Sequence, residues 1–370
     1  MVSAQFLPDM GGVETHVYET ARRLAASGEF EITVLATDRS RSKPRKDVID
    51  GLPVVRVPSW PRTKDYYIAP AISGVVAGPQ KWDLVHCQGI HTPVPVLAMR
   101  AATRARLPYV VTFHTGGHTL PYRNALRSVQ WRLLGPMLRR ADSLIAVSRF
   151  EAGKLAEEAR LGDKPISVIR NGGTLPAPPP GTRVVPGRIV SPGRLERYKG
   201  HHKAIEALPH VMREVPDAHL VILGRGDYEA ELRSLVVRLG VSDRVTIGHV
   251  EPGDRQGMAV ALAEASVVAA FSEYEAHPVV VMEALGIGRP VVGYATAGIG
   301  ELVDEGLVHG VRPGTPAPEA AAELVRAMTL QDARVLPEMP TWDTTAGELA
   351  AVYRQVLRTR QPVGVREAAS

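Results

Sequence analysis

Short apolar runs alternate with helical segments along the whole chain, in two successive sets separated by a proline-rich stretch. In the first set the runs are residues 32–35, 84–86, 109–113 and 143–147; in the second they are 188–190, 218–223, 244–247, 266–270 and 290–292. Runs this short and uniformly apolar, spaced by helical segments, describe parallel strands buried on both faces by covering helices. Between the sets, Pro176-Ala-Pro-Pro-Pro-Gly181 and Pro186-Gly187 read as a semi-rigid linker. The expected fold class is α/β, with two Rossmann-like domains facing across a cleft, a usual place for a small ligand. Residues 1–175 are expected to form the first domain, 176–187 the linker and 188–340 the second. The 370 residues suffice for a sizeable core in each. Met1-Val-Ser-Ala reads as the tail of a central strand, because Phe6-Leu-Pro-Asp-Met-Gly11-Gly12 is already loop; either that strand is short or the true start lies upstream.

No apolar run reaches the length of a membrane span, and the N-terminus lacks the basic stretch and apolar region of a signal peptide. Cys87 is the single cysteine, which excludes an internal disulfide and suits a reducing, cytoplasmic setting. Its place after Asp83-Leu-Val-His86 makes it a buried strand thiol rather than a nucleophile. The formal charge of +5 favours anionic partners such as phosphates or lipid headgroups. The basic residues lack aromatic interleaving and no zinc-finger or RNP pattern occurs, so no nucleic-acid partner is expected.

Chemistry concentrates in Glu275-Ala-His-Pro-Val-Val-Val-Met-Glu283, where a polar turn passes into an apolar helix. Pro278 fits the first turn of that helix, where its missing N–H costs little. Flanked by the apolar runs 266–270 and 290–292, the segment is the connection of a βαβ unit, and ligands of such units sit at the strand carboxyl ends beside the helix N-terminus. The spacing alone is equally served by an amphipathic helix with two solvated glutamates. A glycosidase pair is excluded by distance: eight residues of helix rise about 12 Å, whereas the carboxyls of such hydrolases stand about 5 to 10 Å apart.

Gly193-Arg194-Leu-Glu-Arg-Tyr-Lys199-Gly200 also joins a strand to a helix. Its planar guanidinium and mobile ammonium suit a diphosphate whose charge grows as a bond to it breaks, and the bracketing glycines permit close backbone approach. Gly11-Gly12-Val13-Glu14 offers a second phosphate-facing turn, a weak signal by itself. Leu223-Gly224-Arg225-Gly226-Asp-Tyr-Glu229 fails the dinucleotide fingerprint because Glu229 occupies the third glycine position. His114 follows a strand end, a place open equally to a structural and a cleft histidine. The twelve histidines form no His-Glu-x-x-His pair and no Asp-x-Asp occurs, so neither a catalytic metal nor a cofactor is expected.

Taken together, Gly11-Gly12-Val13-Glu14, Thr112-Phe-His114, Ala141-Asp-Ser-Leu-Ile-Ala-Val-Ser148, Ile169-Arg-Asn171-Gly172, Gly193-Arg194 through Lys199-Gly200, Gly224-x-Gly226 and Glu275 through Glu283 resemble, in order and spacing, the retaining GT-B glycosyltransferases of family 4 over nearly the full length. The resemblance implies that the second domain holds a nucleotide-sugar donor and the first presents the acceptor. It implies that Arg194 and Lys199 bind the diphosphate with Gly193, that Glu275 contacts the transferred sugar, and that Glu283 bonds the ribose hydroxyls. The backbone of Gly224-Arg225 and His249-Val250 would line the base pocket, with His277, Pro278 and Val279 among the donor contacts. His114 would touch the transferring sugar, and Gly11-Gly12 would approach the phosphates. The helix from Trp342-Asp343 through Tyr353 resembles the family's terminal helix, which returns to the first domain over 341–360, leaving 361–370 as a flexible tail. Many relatives carry Glu-Gly-Phe-Gly where this chain has Glu275-Ala-His-Pro278, and Pro278 removes one N–H from that turn.

The implied activity is retaining hexosyl transfer from a nucleoside-diphosphate sugar, UDP-linked by preference, to an acceptor hydroxyl, with no protein nucleophile. A sugar-nucleotide epimerase of the same architecture and a silent nucleotide-sugar binder are the alternatives. The acceptor is a small molecule or a lipid. Arg123, Arg127, Arg132, Arg139 and Arg140 accompany Leu126, Trp131, Leu133, Leu134, Met137 and Leu138. That stretch serves either as a core-packing helix with a solvated arginine face, the favoured reading, or as a peripheral contact with the inner membrane face.

Overall fold

The computed structural model describes residues 1–61, 67–115, 121–330 and 339–360, and for 121–128 it describes the backbone alone. The chain forms two compact units: residues 1–115, 126–170 and the last helix make up the first, and 121–125 with Asn171–Thr341 the second.

In the first unit the chain begins in mid-sheet. Val2 makes parallel bridges to Leu35 on one side and Cys87 on the other, its N–H donated to the His86 carbonyl at 2.7 Å. Then come α1 (Gly12–Ala26), β1 (Val34–Asp38), β2 (Lys46–Ile49), β3 (Leu52–Pro58), α2 (Ala71–Val76), β4 (Val85–Gln88), α3 (Pro93–Ala105), β5 (Tyr109–Thr112), α4 (Pro121–Arg140), β6 (Ser143–Ala146), α5 (Arg149–Glu158) and β7 (Ile166–Val168). Val2 joins the order β1-β3-β2 to the order β4-β5-β6-β7, so the expected strand tail at the start of the chain sits at the centre of the sheet. Every neighbour is parallel except β2, which returns on β3 through Asp50-Gly51, both at positive φ (48° and 80°). Asp-Gly is the sequence that such a two-residue hairpin demands. β5 and β6 are buried along nearly their whole length, as doubly covered parallel strands require. Cys87 is fully buried, and that burial pushes its thiol up to about 12.

The second unit runs β8 (Arg188–Pro192), α6 (His201–Glu214), β9 (His219–Leu223), α7 (Glu229–Arg238), β10 (Val245–Gly248), α8 (Arg255–Ala263), β11 (Val267–Ala270), α9 (Val279–Gly286), β12 (Val291–Tyr294), α10 (Ala297–Asp304), β13 (His309–Val311) and α11 (Ala317–Thr329). Its six strands are all parallel in the order β10-β9-β8-β11-β12-β13. Numbered from its first strand this is 3-2-1-4-5-6, and the order reverses between β8 and β11. The proline-rich stretch expected as a linker packs on this unit, with the Val185 N–H donated to the Glu264 carbonyl at 2.9 Å and the Ser266 hydroxyl to the Val185 carbonyl at 2.8 Å.

The closing helix α12 (Trp342–Arg360) belongs to the first unit. Leu349, Ala350, Tyr353 and Val356 share a core with Leu24, Val110 and Ile145. Asp343 pairs with Arg23 of α1 at 2.7 Å, and the Thr345 hydroxyl donates to the Arg170 carbonyl at 2.8 Å. No described helix is long and apolar enough to cross a membrane. The expected tail, 361–370, lies outside the described residues.

Candidate active site

The reversal between β8 and β11 leaves a crevice at their carboxyl ends, flanked by the loops after those two strands. The loop after β8 carries Arg194 and Lys199; the loop after β11 carries Glu275. The Lys199 ammonium pairs directly with Glu275 Oε1, both side chains largely buried. The ammonium also sits 5.4 Å from the centre of the Tyr198 ring. Arg194 donates to the Tyr198 hydroxyl at 2.8 Å and pairs with Glu196 at 2.5 Å, its side chain as a whole partly exposed. Burial opposes the charge on Lys199, but Glu275 and Tyr198 outweigh it and raise its pKa above the ordinary lysine value. The crevice therefore holds two cations, Lys199 paired with Glu275 and Arg194 with Glu196.

Close packing fixes this loop. Gly200, left-handed at φ 74°, places its Cα where an added Cβ would lie 2.0 Å from the Phe271 carbonyl oxygen, so a glycine alone lets the two loops touch. The Glu273 N–H then donates to the Tyr198 carbonyl at 2.8 Å. Gly224 and Gly226 meet the same loop from behind, since added Cβ atoms would stand 1.9 Å from the Gly193 oxygen and 2.4 Å from the Leu195 oxygen. Underneath, His201 lies 2.9 Å by Nδ1 from the Ser191 hydroxyl and 3.1 Å by Nε2 from the Arg194 carbonyl. A carbonyl only accepts, so Nε2 carries the proton. Burial brings the His201 pKa down to about 4 and keeps the ring neutral.

The 275–283 connection is braced from the start of the unit. Asn171 donates its amide to the His277 carbonyl at 2.8 Å, and an added Cβ on Gly173 would lie 2.2 Å from the Met282 oxygen. Gly298 approaches from α10, its N–H donated to the Glu275 carbonyl at 2.7 Å. His277, Pro278 and Val279 are buried. Pro278 is the N-cap of α9, one position before the first turn in which the sequence places it. Glu283, buried in the second turn, does not join Lys199 and Glu275 directly among the contacts described; it pairs with Arg255, the first residue of α8. Sequence reasoning missed Arg255 because a separate helix supplies it; its signal was Asp254, the helix cap, whose carboxylate accepts the Gly257 N–H at 2.7 Å. Tyr198, His201 and Asn171 had no stated role in sequence either.

At the carboxyl ends of β9 and β10, Arg225, His249 and Glu251 form an exposed cluster. Arg225 reaches Glu251 at 2.8 Å and touches His249, whose Nε2 is 2.7 Å from the same carboxylate oxygen. Hydrogen bonding from His249 draws the Glu251 carboxyl below its usual range. Val250 beside them is half-buried.

In the first unit Gly11 caps α1, which starts at Gly12. His114 is buried past the end of β5, donating from Nε2 to the Gln88 side-chain oxygen at 2.8 Å, with the His16 ring edge-on at 4.7 Å. His91 donates to its carbonyl. Burial, then His16 and His91, hold the His114 pKa well below the ordinary histidine value, so it is neutral. Thr115 is fixed by Glu151, which accepts its N–H at 2.6 Å and its hydroxyl at 2.7 Å. In α4, Trp131, Leu134 and Leu138 are buried while Arg132, Arg139, Arg140 and Leu133 are exposed, the pattern of a core-packing helix with a solvated arginine face. The side chains of Arg123, Leu126 and Arg127 lie outside the described residues. Among the described residues no three His, Cys, Asp or Glu side chains are grouped to hold a metal ion.

Comparison with known proteins agrees with this architecture. Residues 10–173 match the model of Glycosyltransferase Family 4, and residues 182–336 match that of Glycosyl transferases group 1. The chain is 30% identical to a D-inositol 3-phosphate glycosyltransferase of Xylanimonas cellulosilytica, over 95% of this chain and 93% of that protein. Among solved structures it is similar to sucrose-phosphate synthase from Thermosynechococcus elongatus, with a TM-score of 0.72, 21% identity and coverage of 97% and 98% of the two chains. It is similar also to the Anabaena protein HepE in complex with UDP-glucose, with a TM-score of 0.67, 21% identity and 97% of each chain covered.

Proposed function

The chain belongs to the GT-B glycosyltransferases of group 1, and from that premise we propose that it transfers a hexosyl group from a nucleoside-diphosphate sugar to an acceptor hydroxyl with retention of configuration. The observation that carries this reading is the meeting of Arg194, Tyr198, Lys199 and Glu275 where the strand order of the second unit reverses. A diphosphate bound there displaces Glu275 from Lys199, and the ammonium turns to the phosphate oxygens while Arg194 offers its planar fork. Negative charge on the diphosphate grows as the glycosidic bond lengthens, and these two cations stabilise it most at that moment.

The released Glu275 carboxylate accepts from hydroxyls of the transferred sugar. The acceptor hydroxyl attacks from the face that the diphosphate is leaving, and a leaving phosphate oxygen takes its proton. Configuration is thus retained with no protein nucleophile, and Arg194 and Lys199 supply the charge compensation without a metal. His114, neutral and pinned by Gln88, is assigned to the transferring sugar. Glu283 is assigned to the ribose, with the backbone at Gly224-Arg225 and His249-Val250 for the base. UDP is the favoured nucleotide, supported by the likeness in fold to HepE, whose structure holds UDP-glucose.

A thermal-shift panel of UDP, GDP and their hexose conjugates tests this reading. A donor should raise the melting temperature by mass action, and addition of an acceptor should release the nucleoside diphosphate. If no nucleotide shifts the transition, the assignment fails; interconversion of the donor without any acceptor would mark an epimerase instead.

A further inference from the structure

Glu283 lies in the second turn of α9 with its side chain 3% exposed, and a carboxylate so buried calls for a charged or hydrogen-bonding partner. Arg255 supplies it, pairing through Nη2 with Glu283 Oε1. Its direction is set by its helix. Residues 255, 258 and 262 fall on one face of α8 at i, i+3 and i+7, and Met258 and Leu262 pack in the same core as Met282 and Leu285 of α9. The Asp254 cap fixes the first turn from which Arg255 projects.

We propose that Arg255 is a positioning residue for the nucleotide ribose: it holds Glu283 as an oriented carboxylate, so that the site selects ribonucleoside over 2′-deoxyribonucleoside diphosphates. The inference rests on the assignment of Glu283 to the ribose. A carboxylate offers about four acceptor positions, of which the bond from Arg255 takes one. A vicinal diol donates two hydroxyls and calls for an acceptor of fixed direction. Loss of the 2′-hydroxyl leaves part of that acceptor buried without its donor, and this asymmetry makes such sites reject the analogue that lacks the group.

The experiment is a residue-by-ligand cycle. Affinities of UDP, GDP, 2′-deoxy-UDP and 2′-deoxy-GDP are measured by calorimetry for the wild type, R255M, R255Q and E283Q. For the nucleotide that binds, the wild type should prefer the ribo form at least tenfold, and R255M should bring that ratio close to one through weaker ribo binding, with deoxy binding little changed. A general loss of structure would weaken both forms alike and leave the ratio intact, which overturns the proposal. R255Q, which keeps a donor without the charge, should give the same collapse and decides the matter if R255M does not fold. An E283Q protein that keeps the full ratio refutes the ribose assignment of Glu283 itself, whereas collapse in E283Q with an intact ratio in both Arg255 variants refutes only the role of Arg255. Failure of the wild type to bind either ribonucleotide overturns both.

Discussion

Lys199 and Glu275 are far apart in sequence and in contact in the fold, and the catalytic proposal turns on that contact changing partners. A cation that acts mainly on the departing diphosphate contributes on the order of 3 kcal/mol to the transition state. Lys199→Ala should therefore lower kcat by at least about a hundredfold; turnover close to wild type would remove Lys199 from the mechanism. The histidines beneath the loop report on its folding instead. His201 and His202, both brought down from the ordinary histidine value to about 4 by burial, are neutral in the folded protein. Their stabilising contribution is complete above pH 6.5 and is lost as the pH falls toward 4, by up to about 1.4 kcal/mol per pH unit for each. Urea midpoints measured from pH 7.5 to 5 should fall accordingly, and a flat profile would contradict the neutral assignment. At this scale the sequence was legible where a residue stands in a short strand-to-helix turn, as Arg194 and Lys199 do between Gly193 and Gly200 and Glu275 does before α9. Arg255 was not, because its partner lies a helix away and only packing brings the two together.

The elements most plainly read in advance are those whose environment is uniform. β5, β6, β11 and β12 are buried throughout or nearly so and show as apolar runs. β2 alternates exposed and half-buried positions, and β7 is mostly exposed, so neither carries an apolar signature, and β13 spans only three residues. The Asp50-Gly51 turn was the available signal for the β2–β3 hairpin. Connections depend on single glycines in the same sense. Gly200 combines a positive φ with contact against the Phe271 carbonyl, and Gly200→Ala must both strain the backbone and push the two loops apart. That costs more than about 2 kcal/mol in total, and the displacement falls on Lys199, which it moves away from Glu275. Chemical unfolding should show the loss of stability and calorimetry at least a tenfold loss of nucleoside-diphosphate affinity. Unchanged binding would mean that the touching of these loops is not what shapes the crevice.

For the molecule as a whole, the consequential feature is that chain order and unit membership do not coincide. The first unit is completed by α12, which the chain reaches only after building the second unit. Apolar periodicity alone did not reveal this; resemblance suggested it, because amphipathicity says that a helix has a core-facing side without saying which core it faces. Trp342, Leu349, Tyr353 and Val356 are all buried there, and Tyr353 also places its hydroxyl 2.5 Å from His86 Nδ1 inside the sheet. Burial of side chains of this size is worth about 1.5–3 kcal/mol each, and together they rival the roughly 5–15 kcal/mol that stabilises an ordinary domain. A chain ending at Thr341 should thus lose the first unit and keep the second, whose own cores contain no residue of α12. Limited proteolysis should digest residues 1–170 rapidly and leave a resistant fragment beginning near Asn171 that still binds the nucleoside diphosphate. Equal resistance of the two units in the shortened chain would show that α12 decorates the first core, in which case its buried tryptophan and tyrosine would need another explanation.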